Sequence, residues 1–526
     1  MDKQISLHKS TPSPQKHWAT LLVTCVATFL VPLDVTIIAI ALPDIERELH
    51  SNFTELQWIV NTYNIAYTVV LMATGTLADR LGRRKVFVWS LVAFGITSLL
   101  CGLASDALLL ILTRAIQGVA AGGMLITAVA ILSHRYQGPE RAAAFGIWGV
   151  FIGIGAAFGP MIGGFLVDQL GWRWIFLLNV PIVVALVALS VLKLEESRDP
   201  EAETLDRSGL ITFTGALLLV SFAVIQGNDL GWTSAIIQQT LVGAFALLIA
   251  FIVVELRHAR PMFDLKLFAI PTFTGASVLG VANSMSYWAM IIYLPPYFQN
   301  VLGLSATQAG LSLLPLTLPM LILPPVGAKL AEKLPARVLL GSGLAVVGLG
   351  FALMYGITPN SGLGHLLPGF LVAGVGAGLI NAEMSNVAIA VVPAERSGMA
   401  SGINMTFRHG SFTLGIALLG ALLAYTIQNS LQQTAGIPSD LNLHQLANYL
   451  ALGNISGAVN SVPPSLQPQF TNIANASFLD GLNFIILVAT AIAFIGSVIT
   501  FAMIRRRDLK ATPSAHVTCE SDSQVM

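Results

Sequence analysis

The chain has 526 residues, of which 55% are hydrophobic and only 10% are charged, and its 27 basic residues balance its 27 acidic ones. A water-soluble fold of this length needs far more polar residues to cover its surface, so this composition excludes one. The sequence therefore predicts a protein whose solvent is mostly lipid.

Fourteen apolar stretches are long enough to cross a bilayer as helices, which takes about 20 residues. The first contains Pro32 and Asp34 and is too long for a cleaved signal peptide, so we expect it to stay in the mature protein. The predicted spans lie near 18–42, 56–78, 85–104, 107–132, 142–166, 173–192, 208–226, 234–255, 271–298, 307–330, 338–357, 365–392, 398–427 and 478–504.

The basic residues are distributed unevenly between the two sides of these spans. Most Lys and Arg lie on the loops that share a side with the two chain ends, whereas the segment 428–477 holds none. Cytoplasmic loops are enriched in Lys and Arg. The pattern predicts a multi-pass protein of the plasma membrane, in a bacterium the inner membrane, with both termini in the cytoplasm.

The spans divide most simply into six, two and six. The sequence Leu77–Arg84 after span 2 has a weak echo in Leu330–Arg337 after span 10, which indicates two related halves. The predicted units are an N-terminal tail (1–17), a six-helix bundle (18–192), linkers with two additional helices (193–270), a second six-helix bundle (271–504) with an outer loop (428–477), and a C-terminal tail (505–526).

No pattern in the sequence is typical of an enzyme. Two of the three cysteines, Cys25 and Cys101, fall within spans, and Cys519 lies on the C-terminal tail, so no disulfide framework is indicated. We find no metal-ligand cluster, phosphate-binding loop, nucleotide-binding domain or nucleic-acid patch. The expectation is a non-enzymatic protein with no cofactor, no metal and no catalytic residue.

Four motifs occur in order along the first half: Leu33–Pro43 in span 1, Gly75–Lys85 after span 2, Arg114–Gly118 in span 4 and Gly155–Gly164 in span 5. Together they resemble the fourteen-helix drug:proton antiporters of the major facilitator superfamily, over nearly the whole chain. The resemblance implies an all-helical fold of two six-helix bundles with two extra helices between them. It also implies proton-coupled efflux of small amphiphilic organic compounds by alternating access.

The charged turn after span 2 has two interpretations. Its glycines allow close approach, and Asp79 is able to accept hydrogen bonds from a helix N-terminus or to pair with nearby arginines. In the resembled family this turn latches the cytoplasmic side when the transporter faces outward; the alternative is that its basic residues only set topology. The latch residues are Gly75, Asp79, Arg80, Gly82, Arg83 and Arg84.

Two charged residues are predicted to meet inside the first bundle. Asp34 and Arg114 lie at similar depths from the outer helix ends, and an intramembrane arginine needs a partner or a wet cavity. An arginine beside a carboxylate favours its ionised form, and separation favours proton uptake. The resemblance assigns the arginine of this motif to proton coupling; the alternative is a static ion pair.

A second pair follows from the same depth estimate. Glu383 in span 12 and Arg408 in span 13 lie at similar distances from the inner helix ends, so we predict that they too contribute to coupling or substrate binding. The neighbouring His409 titrates near neutral pH if it is hydrated, or is simply hydrogen-bonded inside the bundle.

The span 5 motif resembles the antiporter motif of exporting family members. Three of its glycines recur every four residues and share one helix face, which permits close packing, and its proline adds a kink. We expect it to form a tight contact between the halves. The motif residues are Gly155, Gly159, Pro160, Gly163 and Gly164.

Aromatic and amide side chains in spans 2, 4 and 9 are predicted to line a substrate cavity. Such a lining suits amphiphilic molecules, including cations that stack on aromatic rings, although Tyr and Trp also collect at membrane interfaces. The prolines of spans 9 and 10 are expected to break these spans. The predicted cavity residues are Tyr63, Asn64, Gln117, Asn283, Tyr287, Trp288 and Tyr293.

Several alternatives remain at this level. The polar loop 428–477 is expected to be solvated with a surface helix, or else to dock a periplasmic adaptor protein of a multi-component pump. A proton-coupled nutrient or metabolite symporter is the nearest rival function, and a non-transporting membrane sensor is the rival from another class. The predicted partners are otherwise a small-molecule substrate, protons and the bilayer, with no nucleic acid.

Overall fold

The computed structural model describes residues 14–198, 206–258, 261, 263–393, 396–434 and 441–510. The predicted tails 1–17 and 505–526, with Cys519, lie largely outside these residues. Within the described part of the chain the regular structure is helical throughout.

Helices occupy all fourteen predicted spans. In chain order, spans 1 to 5 are Pro14–Leu49, Phe53–Leu81, Arg83–Gly102, Ala107–Arg135 and Gly138–Leu170. Span 6 is Trp174–Leu177 with Asn179–Lys193, span 7 is Arg207–Leu230 and span 8 is Ala235–Arg257. Span 9 is Pro271–Asn283, Ser284–Trp288, Ala289–Pro296 and Tyr297–Val301, and span 10 is Ala306–Ser312, Leu314–Thr317, Pro319–Ile322 and Pro324–Lys333. Spans 11 to 14 are Ala336–Met354, Leu363–Ala390, Ser397–Gln433 and Gln467–Met503.

The length and hydropathy of these helices agree with a membrane protein. Among the described residues, 12 helices are long and apolar enough to cross a bilayer, and the bent span 10 makes a thirteenth. Span 2 has 29 residues, but Gln57, Asn61 and Asn64 make it less apolar. These three side chains are buried, so span 2 carries polar groups into the protein interior rather than into lipid.

The prolines of spans 9 and 10 act differently. Span 10 bends by 47° at Leu323, and its short helices begin beside Pro315, Pro319 and Pro324. Proline lacks the amide donor that the preceding turn needs, so each one interrupts the hydrogen-bond ladder. Span 9 instead continues through two wide π-helical turns, and Pro295 lies inside it. The expected break is present in span 10 only.

Two bundles make up the molecule. Span 1 packs on span 5, and span 2 packs on span 4; spans 11 and 14 pack together, as do spans 11 and 12. Span 8 packs on span 7, and span 7 contacts spans 2 and 13. The inserted pair therefore covers the outside of the seam between the two bundles.

We call the side that carries the charged turn at Gly82 the motif side, and the opposite side the distal side. On the distal side two short helices, Leu443–Ala451 and Ile455–Asn460, form what we term the distal cap. Leu446 and Leu450 of this cap are buried against the bundle. The expected surface helix is therefore present, and its apolar residues four apart give one face that packs onto the transmembrane helices.

The cap joins three parts of the fold. Asn454 donates a hydrogen bond to Glu46 at the end of span 1 (2.6 Å), and Asn300 at the end of span 9 donates to the Leu452 carbonyl (2.9 Å). His444 lies 2.9 Å from a carboxylate oxygen of Asp229 at the end of span 7. The cap thus links both bundles and the inserted pair.

The bundles meet at the distal side and separate at the motif side. Gln299 donates to the Ile40 carbonyl (2.9 Å), and Gln57 donates to the Tyr293 hydroxyl (3.3 Å), both across the distal interface. Toward the motif side, a Cβ added at Gly146, Gly149, Gly398 or Gly402 meets no atom within 4 Å. The described contacts between the bundles therefore lie toward the distal side, and we call this conformation distal-closed.

Candidate functional site

The centre of the first bundle contains a buried ion pair. The Arg114 guanidinium of span 4 contacts the Asp34 carboxylate of span 1, and both side chains are fully buried. Arg114 also donates to the Gln117 side-chain oxygen (2.8 Å) and to the Ile59 carbonyl (3.3 Å). The predicted contact between Asp34 and Arg114 is therefore formed.

Polar and aromatic neighbours surround this pair. Gln117 donates to Asp34 (3.3 Å) and to Ser98 of span 3 (2.8 Å), and Asn179 of span 6 donates to Ser98 (3.2 Å). The Tyr63 ring lies 4.0 Å from the guanidinium carbon, a cation–π contact. In this conformation Gln117 and Tyr63, which were predicted to line the substrate cavity, therefore contact the ion pair.

Span 5 holds the segment of span 1 that carries Asp34. A Cβ added at Gly155 lies 2.5 Å from the Phe29 carbonyl oxygen, and one at Gly159 lies 3.0 Å from the Thr36 Cβ. Gly163 is similarly close to Ile37. The glycine repeat therefore packs within the first bundle, which corrects the expectation that this face joins the two halves.

The contact between the halves comes from two other residues of the motif. A Cβ added at Gly164 lies 2.2 Å from the Ala306 carbonyl oxygen of span 10, and the Pro160 carbonyl is equally close to a Cβ at Gly310. One turn further, the Asp168 carboxylate accepts the backbone N–H groups of Ala306 (3.0 Å) and Thr307 (2.8 Å). Span 5 thus touches span 1 on one face and span 10 on another.

The charged turn on the motif side makes contacts only within the first half among the described residues. Asp79 pairs with Arg83 one turn later (2.8 Å), and Gly82 has the positive φ of 111° that favours glycine. The Glu196 carboxylate accepts the backbone N–H groups of Arg84 (3.1 Å) and Lys85 (3.2 Å). Glu196 therefore caps span 3, and Asp79 does not contact the second half in this distal-closed state.

The predicted pair in the second bundle is not formed. Among the described residues, no carboxylate lies within ion-pair distance of Arg408. Its Nη2 instead donates a hydrogen bond to the Asn381 side chain (3.3 Å). Glu383 accepts a hydrogen bond from Asn386 (3.3 Å). The His409 ring packs edge-on against Tyr67, with ring centroids 4.6 Å apart.

The predicted cavity residues have varied surroundings. Tyr287 donates its hydroxyl to the Leu316 carbonyl (2.6 Å), and Tyr293 donates to the Ile416 carbonyl, so both phenols link helices. The Asn64 amide donates to the Val60 carbonyl, Trp288 is partly exposed, and the buried Asn283 amide has no protein partner.

A narrow apolar crevice lies between the halves under the distal cap. Span 2 contributes Leu56 and Val60, span 9 contributes Ile292, and Leu452 belongs to the segment between the cap helices. It is closed toward the distal side by the cap.

Sequence reasoning missed Asp168 and Glu196. Each lies just beyond or near the end of a recognised segment, Asp168 four residues after the glycine pair of span 5 and Glu196 three residues after span 6. A carboxylate at such a position is a general signal for a helix N-terminus partner. The chain sequence does not indicate which helix that partner is.

Comparison with known proteins agrees with this architecture. Residues 24–416 match the Major Facilitator Superfamily. The chain belongs to this superfamily. Among curated superfamily proteins it is similar to "Multidrug resistance protein Stp" of Mycobacterium tuberculosis, with 33% identity over 482 residues, covering 90% of this chain and 89% of Stp.

Two further similarities cover almost the whole chain. The "Tetracenomycin C resistance and export protein" of Streptomyces glaucescens is 28% identical over 490 residues, covering 92% of this chain and 90% of that protein. The crystal structure of a bacterial homologue of the human lysosomal transporter Spinster has a TM-score of 0.66 at 18% identity, covering 94% of this chain and 99% of that one. The predicted major facilitator fold is confirmed, and the protein is a membrane transporter rather than an enzyme.

Proposed function

We propose that this major facilitator protein exports drugs, toxic compounds or metabolites across the plasma membrane in exchange for protons. Export is supported by relatives whose names describe multidrug resistance and export. Proton coupling rests on one observation, the fully buried ion pair of Asp34 and Arg114. A carboxylate at this site gains or loses a proton according to whether its arginine is in contact.

The coupling step begins with Asp34. Contact with Arg114 favours the ionised carboxylate, because the guanidinium and Gln117 both stabilise its charge. If a movement of span 1 separates the two groups, an isolated buried charge is costly and the carboxylate takes up a proton. Proton binding then favours the conformation in which the pair is broken.

Span 5 supplies the mechanical connection. Gly155 and Gly159 pack on the part of span 1 that carries Asp34, while Gly164 packs on span 10 of the other half. Rocking of the halves shifts span 10 against span 5, and the close glycine contacts pass this shift to span 1. Pro32, two residues before Asp34, gives span 1 a place to bend.

We further propose that the motif side is cytoplasmic, since its loops carry most of the basic residues. The distal-closed structure is then the inward-facing state, and the Asp79 latch engages only after the motif side closes. A reporter domain fused after Asn460 is expected to lie outside the cytoplasm, and a cytoplasmic reading contradicts this orientation.

The alternatives are less well supported. A symporter also needs a coupled carboxylate, but the relatives' names describe resistance and export. A sensor has no need for interfaces closed on one side and open on the other. The distal cap, where an adaptor would dock, uses Leu446 and Leu450 in its own packing, so we propose that the chain works as a single-component pump.

The test is transport into inverted membrane vesicles. Vesicles that contain the wild-type protein are expected to accumulate a transported drug when a proton gradient is applied. Vesicles with Asp34→Asn are expected to lose this gradient-driven accumulation. The Asn variant is expected to retain substrate counterflow, which needs substrate movement but no proton exchange. Asp34→Glu keeps an acid and is expected to recover part of the accumulation.

Asp480→Asn is the matched control, because Asp480 is an exposed carboxylate that accepts a hydrogen bond from Ser430 (2.9 Å). It is expected to behave as wild type. Full gradient-driven accumulation with Asp34→Asn contradicts the coupling proposal. The export proposal is contradicted if the wild-type protein accumulates none of the drugs to which its expression gives a cell resistance.

A further inference from the structure

A second arginine lies inside the bundle, and its surroundings differ from those of Arg114. The Arg408 side chain crosses Gly280 of span 9, where an added Cβ lies 2.9 Å from the Arg408 Cγ. It lies between spans 9, 12 and 13 and remains partly exposed. Its one hydrogen bond among the described residues is to Asn381 (3.3 Å). An arginine inside the bundle needs a counter-charge or water, and no described carboxylate lies within ion-pair distance of it.

Two buried amides lie one helical turn from Arg408 and from Gly280, and neither side chain has a hydrogen-bond partner among the described residues. Asn404 lies one helical turn from Arg408 on the same face of span 13 and is 2% exposed. Asn283 lies one turn beyond Gly280 on span 9 and is 1% exposed. The side-chain nitrogen and oxygen of both amides make no hydrogen bond. Buried amides without partners are rare in proteins, and they call for a ligand or water.

The carboxylates of the bundle do not neutralise this site. Asp34 is fully buried and is paired with Arg114. Glu383 lies two residues after Asn381, about 200° around span 12, on the face where Leu379 packs against Gly327 of span 10. From span 2 the group nearest to Arg408 is the uncharged Tyr67, through its contact with the neighbouring His409. Within the described part of the chain, Arg408 is therefore a partly buried positive charge without a carboxylate partner.

We infer that Arg408, with Asn381, Asn404 and Asn283, binds an ionised acidic group of the exported compound. A guanidinium offers two parallel N–H donors to a carboxylate, sulfonate or acidic phenolate, and the amides add further donors. This inference rests on the proposed export function and narrows it to compounds with an anionic group. The aromatic lining then holds the apolar part of the same molecule.

The test compares two dyes built on the same ring system but with opposite charge. Fluorescein is an anion at neutral pH, and rhodamine 123 is a cation. Binding is measured by fluorescence anisotropy with the full-length protein in lipid nanodiscs. Wild type is expected to bind fluorescein more tightly than rhodamine 123. Arg408→Gln is expected to weaken fluorescein binding by about tenfold or more, while rhodamine 123 binding changes by less than about twofold.

Two further variants complete the design. Arg408→Lys keeps the charge and is expected to recover part of the fluorescein affinity. Arg507→Gln removes an exposed guanidinium near the end of span 14 and is expected to have no effect. Unchanged rhodamine 123 binding shows that Arg408→Gln is folded.

The inference is overturned if wild type binds fluorescein no better than rhodamine 123, or if Arg408→Gln loses both dyes equally or neither. The assay uses no proton gradient, so it is independent of coupling and of transport direction. Failure of gradient-driven export with intact Arg408-dependent binding counts against the proposed function alone, and the converse counts against this inference alone.

Discussion

At the scale of single residues, depth along a helix predicted one contact and failed for another. Asp34 and Arg114 meet, whereas Glu383 and Arg408 do not. Residue counting gives the height of a side chain in the membrane but not its direction around the helix, and two residues correspond to about 200°. Asn381 therefore contacts Arg408, and Glu383 faces elsewhere. Direction depends on packing between helices, which one sequence does not contain.

The capping of span 3 by Glu196 is directly testable. Its carboxylate accepts two amides at the start of span 3, and negative charge at a helix N-terminus is worth about 0.3–1 kcal/mol. Glu196→Gln is expected to speed amide hydrogen exchange at residues 84–86, measured by mass spectrometry. Glu195→Gln removes the adjacent carboxylate, which pairs with the Arg135 side chain (3.2 Å), and is expected to leave these amides unchanged. Equal exchange in both variants contradicts the capping role.

At the scale of helices, the sequence predicted positions better than partners. The spacing of Gly155, Gly159 and Gly163 correctly indicated one packing face, and the prolines indicated the bend in span 10. The partner of the glycine face was not predictable, because small residues permit close approach to any helix. The π-helical turns of span 9 left no signal in its composition, since they depend on packing around Ser284–Trp288.

Gly164 tests the contact between span 5 and span 10. Alanine there needs space that the Ala306 carbonyl occupies, and overpacking costs about 1–3 kcal/mol. Gly164→Ala is expected to disfavour the distal-closed state. With Val60→Cys as the probe in the distal crevice, reaction with a membrane-impermeant maleimide is expected to become faster.

Gly149→Ala is the matched control on the same helix, because a Cβ there meets no atom within 4 Å. It is expected to label at the rate of the Val60→Cys parent. The native Cys25 and Cys101 are buried and so give little background labelling, and Cys519 of the C-terminal tail is replaced by serine in the parent and in both alanine variants. If both alanine variants label at the parent rate, Gly164 does not hold the distal side closed.

At the scale of the whole molecule, hydropathy and charge predicted a helical membrane protein, the repeated turn predicted two related halves, and the resemblance carried by the four motifs implied transport. A surface helix in the segment 428–477 was expected, but its packing onto the bundle was not, because the segment is polar on average and its few apolar residues indicate packing only when they lie on one helical face. The distal-closed state was likewise beyond the sequence, since a transporter must encode both of its states with the same residues.

The cap is expected to hold more strongly in acid. The Asp229 carboxylate, by hydrogen bond and charge, raises the pKa of His444 above its ordinary value of 6.5. A raised pKa means that the stabilisation is complete below about pH 6.5 and is lost as the pH rises through the higher folded-state value. Because the pair is partly exposed, we expect the contribution to stay below about 1 kcal/mol.

Melting temperatures of His444→Gln and wild type measure this effect. The variant is expected to melt below wild type at about pH 6 and to approach it at about pH 8. His365→Gln removes an exposed histidine on the same side and is expected to follow wild type at both values. If the melting temperature of His444→Gln lies below that of wild type by the same amount at both pH values, protonation of His444 does not stabilise the cap.

The two inserted helices make the two lipid-facing flanks of the transporter different. Span 7 lies over the seam between spans 2 and 13, whereas Phe165 of span 5 and Leu311 of span 10 are exposed beside the opposite seam. A compound dissolved in one leaflet of the bilayer therefore meets span 7 on one flank of the protein and the uncovered contact between spans 5 and 10 on the other. Lateral access to the interior, where it occurs, is directed to a single flank of the molecule.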